Sequence, residues 1–262
     1  LNGEGLQHED GHSPLLASTN PAVVAYDPAF AFEVAHIVKD GLRRMYGENS
    51  EDIYYYLTVY NEPIQQPAQP DGVDVEGIVK GLHLWSRGEG EGPRVQLLAS
   101  GIAMTWALKA QERLREEWGV VADVWSVTSW SELRRDALAA ERAALLDPSA
   151  PVRTPYVTQK LAGAQGPFVA VSDYLRAVQD QIGAYVPGDF TSLGTDGWGL
   201  SDTRGALRRH FLVDAESITT SALAMLAKQG AVDPGTPVAA AAKYRLDDPG
   251  AAEAGSTEGG DA

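Results

Sequence analysis

The chain has 262 residues, 44% of them hydrophobic, enough to bury one large core or two modest ones; two domains are the expectation. Twenty-one Lys and Arg against 36 Asp and Glu leave a formal charge of −15, which repels phosphate backbones and anionic lipid surfaces, so neither nucleic acid nor a membrane is an expected partner. The absence of cysteine excludes disulfides and thiolate metal sites and fits a reducing, cytoplasmic setting. No apolar run nears the roughly 18 residues of a membrane span. The chain begins on Leu1 rather than methionine and so reads as part of a longer polypeptide, with a functional site present only in part.

The first stretch, LNGEGLQHEDGHS, contains His8, Glu9 and His12 in the order H-E-x-x-H. On a helix that pattern turns two imidazoles to one face to hold zinc, with the glutamate activating water. This stretch is a poor helix. Gly3, Gly5 and Gly11 each cost about 1 kcal/mol against alanine in a helix interior, and Pro14 follows. No apolar stripe flanks the histidines, and His36, His83 and His210 stand in no ligand spacing, so a zinc hydrolase is a minor reading and the stretch is an acidic, glycine-rich loop.

From Ala22 the pattern is regular. AVVAY predicts a strand; Asp27 and Pro28 predict a helix start, with Asp27 as capping acid. Phe30, Val34, Ile37, Val38, Leu42 and Met45 keep helical spacing until Gly47, and Ile53 to Tyr60 predicts a second strand, parallel to the first. NEPIQQPAQPDG then marks a linker and a domain boundary near Pro70. Beyond it come the strand VQLLAS, a helix from Ile102 to Trp118 closed by Gly119, and the strand ADVWSV. A capping box of Ser129 and Glu132 opens a helix to Leu146. GPFVAVSD predicts a strand running into a helix that ends near Ala184. TSLG predicts a short strand, and Asp202 and Asp214 the caps of two closing helices, the second stopped by Gly230. GTDGWG has the glycines of a phosphate loop without G-x-G-x-x-G spacing or a following lysine, and reads as a turn. Strands alternating with helices predict an α/β fold with a mostly parallel sheet covered by helices on both faces. The residues after Asp247 cannot bury enough apolar surface to order themselves and predict a flexible acidic tail.

In this order and spacing, GLQHEDGHS, YDPAFAFEVAHIVKDGLRRMYGE, YYYLTVYNE, DVWSVTSWSELRRD and LGTDGWGLSDTRGALRRHFLVD closely resemble the C-terminal third of the homodimeric pyruvate dehydrogenase component, a thiamine-diphosphate-dependent family akin to transketolases. The resemblance covers residues 1 to about 246. It implies that residues 1–70 end the middle, pyrimidine-binding domain, that 71–246 form a transketolase C-terminal-like domain and that 247–262 are a tail. It also implies the activity: pyruvate is decarboxylated and the acetyl unit passed to a lipoyl group of dihydrolipoyl acetyltransferase. The partners so implied are the remainder of the polypeptide, a second copy in a homodimer, the lipoyl domain and pyruvate.

By the same resemblance the HEDGH stretch reaches the thiazolium end of the cofactor and His8 faces the substrate, where the reaction turns a carbonyl oxygen into an alkoxide. An imidazole suits that task because it holds or releases a proton near neutral pH at small cost. Glu4 is close enough in sequence to share the pocket, whereas His12, Glu9 and Asp10 are expected to brace the loop through backbone hydrogen bonds. Tyr54 to Tyr56 and the six tryptophans are expected in the core or a subunit interface. The family holds magnesium and diphosphate with a Gly-Asp-Gly motif, which is absent here, so thiamine diphosphate and Mg2+ are expected to be bound mostly by other sequence. The alternative is a non-catalytic assembly or dimerisation module of the same fold.

Overall fold

The computed structural model describes residues 10–197 and 200–252. The short helix α1 (Ser13–Ser18) precedes strand β1 (Val23–Tyr26), helix α2 (Ala31–Tyr46) and strand β2 (Tyr54–Leu57). β1 and β2 pair in parallel, Val23 opposite Tyr54 and Tyr26 opposite Leu57, as the strand, helix, strand pattern predicts. After the proline-rich stretch come α3 (Val75–Lys80), β3 (His83–Ser86), β4 (Arg94–Ala99), α4 (Ala103–Trp118), β5 (Val121–Ser126) and α5 (Trp130–Leu146). Then follow α6 (Tyr156–Leu161), β6 (Phe168–Val171), β7 (Phe190–Leu193), α7 (Arg204–His210), α8 (Ala215–Lys228) and α9 (Gly235–Tyr244).

The second sheet has the order β3-β5-β4-β6-β7. β3 is antiparallel to β5 and every other pair is parallel. Alternation along the strands feeds two cores. Val95, Leu97 and Ala99 of β4, with Val169 and Val171 of β6, face α4 and α8 through Met104, Leu114, Ile218 and Leu223. Leu98, Phe168 and Ala170 point the other way onto Trp130, Leu133, Val157 and Leu161. A parallel sheet wants such cover on both faces, which explains why its strands read as continuous apolar runs.

Several helix signals act as the sequence predicts. Ser129 accepts the Glu132 amide, Asp214 accepts that of Ser217, and Gly119 closes α4 in the left-handed conformation at φ 63°. Four expectations are corrected. Asp27 does not cap α2: the helix begins at Ala31, where the Glu33 carboxylate accepts the Ala29 and Phe30 amides and Gln66 of the proline-rich stretch accepts the Ala31 amide. Thr203 rather than Asp202 caps α7, its hydroxyl accepting the Ala206 amide. The segment after β6 forms turns and a 3-10 helix over Asp180–Tyr185 instead of an α-helix, because its first residues are held by the loop after β7. The flexible tail expected after Asp247 is corrected at its start, where Pro249–Ala251 form a 3-10 helix capped by the Asp248 carboxylate, which accepts the Gly250 amide; residues 253–262 lie outside the described residues.

Candidate functional site

Register aligns the carboxyl ends of the strands: Ala99 of β4 lies opposite Ser126 of β5 and Val171 of β6, and Val171 opposite Leu193 of β7. β4 connects through α4 to β5 on one side, while β6 and β7 lie on its other side, so the strand order reverses between β4 and β6. In open α/β sheets the crevice beyond the strand ends at such a reversal is where ligands bind. Here it is filled from within. The Asp27 carboxylate accepts the Ser100 hydroxyl at 2.6 Å, that of Thr58 at 2.5 Å and that of Tyr60 at 2.7 Å, while its backbone pairs with Thr128 and Gly101. Gly101, at φ 50°, has no room for a side chain: a Cβ would lie 2.3 Å from the Tyr60 hydroxyl. Burial pushes the Asp27 carboxyl up from its ordinary value, against the pull of the three hydroxyls.

Beside this plug Arg208 is buried, its guanidinium 4.6 Å over the Trp106 ring and paired with Glu62. Arg204 reaches Asn61 at 3.0 Å, so the chain just past β2 is gripped by α7. Next to the plug, a cavity lined by Pro14, Tyr26, Asp27, Tyr56, Ser129 and Trp130 holds about 20 Å³, the space of a water rather than of a cofactor. Two larger grooves of about 400 and 390 Å³ lie elsewhere. In the second, Arg43, Arg44, Lys80 and Arg135 are each paired with a carboxylate, those of Asp40, Glu51, Glu76 and Glu132.

The end of the acidic loop docks on the same sheet edge. Asp10 accepts the His12 amide at 3.0 Å and that of Ser13 at 2.9 Å, which is the bracing expected of an acid beside glycine. His12 stands at the N-cap of α1. The Gly11 carbonyl accepts the Leu175 amide at 3.0 Å, and Leu15 packs on the Trp130 side of the sheet. His8, Glu4 and Glu9 lie outside the described residues. Among the described residues no group of three or more His, Asp or Glu side chains is placed to hold a metal ion. His36 meets Gln69, and His83 is buried against Glu33 at 2.7 Å. Among the described residues no helix is long and apolar enough to cross a membrane.

Residues 81–214, just over half of the chain, match the family model of the transketolase-like C-terminal domain. The chain belongs to that family. Residues 1–67 match the model of the pyruvate dehydrogenase E1 component middle domain. The E1 component of Mycolicibacterium smegmatis is 55% identical over 253 residues, covering 96% of this chain and 27% of that protein. The E1 component of Mycobacterium tuberculosis is 55% identical over 99% of this chain, and that of Escherichia coli 47% over 94%, each matched over 28% of its own length. The chain thus spans little more than a quarter of the curated relatives it matches and is homologous to their pyruvate dehydrogenase E1 components. Transketolase from Leishmania mexicana superposes with a TM-score of 0.58 at 16% identity, covering 86% of this chain and 28% of that one. A split-gene transketolase described as an inactive beta4 tetramer superposes with a TM-score of 0.59 at 19% identity, over 85% of this chain and 64% of that one. These likenesses support the fold, which is the transketolase-like α/β architecture that the sequence predicts.

Proposed function

We propose that this chain supplies the end of the middle domain and the C-terminal domain of an E1-type pyruvate dehydrogenase, with the domains divided near Pro70. The complete enzyme decarboxylates pyruvate with thiamine diphosphate and Mg2+ and transfers the acetyl group to the lipoyl group of dihydrolipoyl acetyltransferase. The observation that carries this reading is the 55% identity to two E1 components over 96% and 99% of the chain. The enzyme works as a homodimer in the cytoplasm.

The described residues do not fit the cofactor by themselves. They offer no metal-ligand cluster, and the crevice where an α/β sheet would take a ligand is occupied by Asp27 and Tyr60. In this reading most of the cofactor and metal binding falls to other polypeptide, and the HEDGH stretch with His8 reaches the cofactor from this chain. Its own contribution is a proton: His8 donates to the pyruvate carbonyl oxygen as negative charge develops there, and Glu4 lines the same pocket. The test uses the complete polypeptide carrying this segment, supplied with pyruvate, thiamine diphosphate and Mg2+. His8→Ala is expected to lower turnover by roughly a hundredfold with the fold retained, the usual loss for a positioned acid. A wild-type polypeptide that releases no CO2 from pyruvate, or a His8→Ala variant with full activity, overturns the reading.

A further inference from the structure

Among the described residues Gly11, at the end of the acidic stretch, meets the loops at the carboxyl end of the C-terminal sheet. The turn after β6 and the loop after β7 are locked together there. Thr195, 5% exposed, donates its amide to the Tyr174 carbonyl at 3.0 Å and its hydroxyl to the Asp173 carbonyl at 2.9 Å. Asp196 accepts the Arg176 amide at 2.9 Å. Between those tied residues, the Leu175 amide holds the Gly11 carbonyl at 3.0 Å. Gly11 also lies against Thr195 itself, since a Cβ added to it would stand 3.3 Å from the Thr195 hydroxyl oxygen and 3.4 Å from its carbonyl.

We propose that Thr195 is a positioning residue for the proton-donating loop, fixing the backbone of Gly11 three residues beyond His8 both by direct contact and through the Leu175 amide. The inference rests on the reading of His8 given above. Its physical basis is covalent reach: three residues of chain span at most about 11 Å, so an anchored Gly11 restricts where an imidazole at position 8 can be presented. Removing the Thr195 hydroxyl leaves the Asp173 carbonyl without that donor in a buried turn, and relaxation of the turn to satisfy it shifts the Leu175 amide. This gives the C-terminal domain a part in the chemistry.

The experiment uses the complete polypeptide, with Thr195→Val and Thr195→Ser made in wild-type and His8→Ala backgrounds and kcat, KM for pyruvate and thermal unfolding measured for each. Thr195→Val is expected to lower kcat about tenfold with little change in KM, and Thr195→Ser to restore it to within about twofold, because misplacement by about 1 Å is costly at a reacting centre. In the His8→Ala background Thr195→Val is expected to add no further loss, since the group it positions is gone. Should Thr195→Val fail to fold, Gly11→Ala, whose methyl group crowds the Thr195 hydroxyl, takes its place and is expected to show the same lack of additivity with His8→Ala. A normal kcat in Thr195→Val, or an equal further loss in the His8→Ala background, overturns the inference alone. Full activity in His8→Ala overturns the reading of His8 and this inference with it.

Discussion

Asp27, on the turn after β1, and Ser100, just past β4, meet at 2.6 Å across the junction of the two sheets, and the same hydroxyl oxygen accepts the Trp130 indole N–H at 3.0 Å. The carboxylate gathers donors from both sides: Thr58 and Tyr60 follow β2, whereas Ser100 follows β4 of the five-stranded sheet. Asp27→Ala strands three hydroxyls and should cost about 3 kcal/mol, the penalty of leaving buried donors unpaired. Urea unfolding is the measurement, and a loss below about 1 kcal/mol would contradict the clasp.

The raised carboxyl pKa of Asp27 adds a pH dependence of definite sign. The folded chain keeps the proton where the unfolded chain has lost it, so this group's contribution is complete below the ordinary carboxylate value and declines as pH rises through the folded one. Asp27→Asn removes that titration. Wild-type stability minus that of the variant should therefore fall as pH is raised from about 4 towards neutrality. A difference that grows with pH would show the carboxyl to be stabilised as an anion.

A second buried carboxylate ties α2 to the five-stranded sheet. Glu33 accepts the Ser126 hydroxyl at 2.6 Å and faces the His83 Nε2 at 2.7 Å with one oxygen, while the other takes the Ala29 and Phe30 amides. Glu33→Ala strands all four partners and should cost about 3 kcal/mol or more, as leaving several buried polar groups unpaired does. Glu33→Gln keeps the shape and should cost less. Chemical denaturation checks both, and equal losses in the two variants would mean that keeping the shape of the side chain saves nothing and that both carboxylate oxygens are needed as acceptors.

These two acids mark where the sequence stops being readable. Long periodic segments such as α4 and α5, the apolar strands β4 to β6 and the local caps Ser129 and Asp214 all follow from neighbours within a few residues, and all are found. Asp27 before Pro28 carries the local signature of a helix cap, but its partner Ser100 is 73 residues away, and burial in the strand-end crevice outcompetes the cap. The elements α1, α3, β3, α6 and α9 are not legible in the sequence, because they lack both a clear apolar period and the paired start and stop signals that mark their neighbours. In the candidate site Asp10 was readable, since acid beside glycine is a local motif. The grip of Leu175 and Thr195 on Gly11 was not, because nothing near Gly11 encodes it.

Asp74 gives an acid-side prediction. It caps α3 by accepting the Gly77 amide at 2.9 Å and pairs with Lys160 of α6. Burial raises its carboxyl pKa, but Lys160 and the Gly77 amide outweigh it and hold the group below the usual carboxylate range. Its contribution is present at neutral pH and lost as pH falls through the folded value. Asp74→Ala should cost about 1 kcal/mol at neutral pH, mostly through the cap, and progressively less as pH falls below the ordinary carboxylate value of about 3.9. Thermal unfolding of wild type and variant across that range checks it, and a cost that persists in acid would rule out the ionised cap.

The chain by itself is expected to bind no thiamine diphosphate at micromolar concentration and to decarboxylate nothing. Affinity for such a cofactor comes chiefly from a divalent ion bridging its diphosphate to hard oxygen ligands, because that ion is the largest local charge in the site. The described residues gather no such ligands, and the formal charge of −15 repels a diphosphate at longer range. The strand-end crevice offers no substitute, since Asp27 and Tyr60 fill it and Gly101 is closed against them. Displacing them would strand the Ser100 and Thr58 hydroxyls, so no ligand of ordinary affinity can open it cheaply. Calorimetric titration of the chain with thiamine diphosphate and Mg2+ should give only heats of dilution, while the complete polypeptide should bind and turn over together. A saturable signal from the chain alone, with micromolar affinity, would place a cofactor site within these 262 residues and undo the division of labour proposed for them.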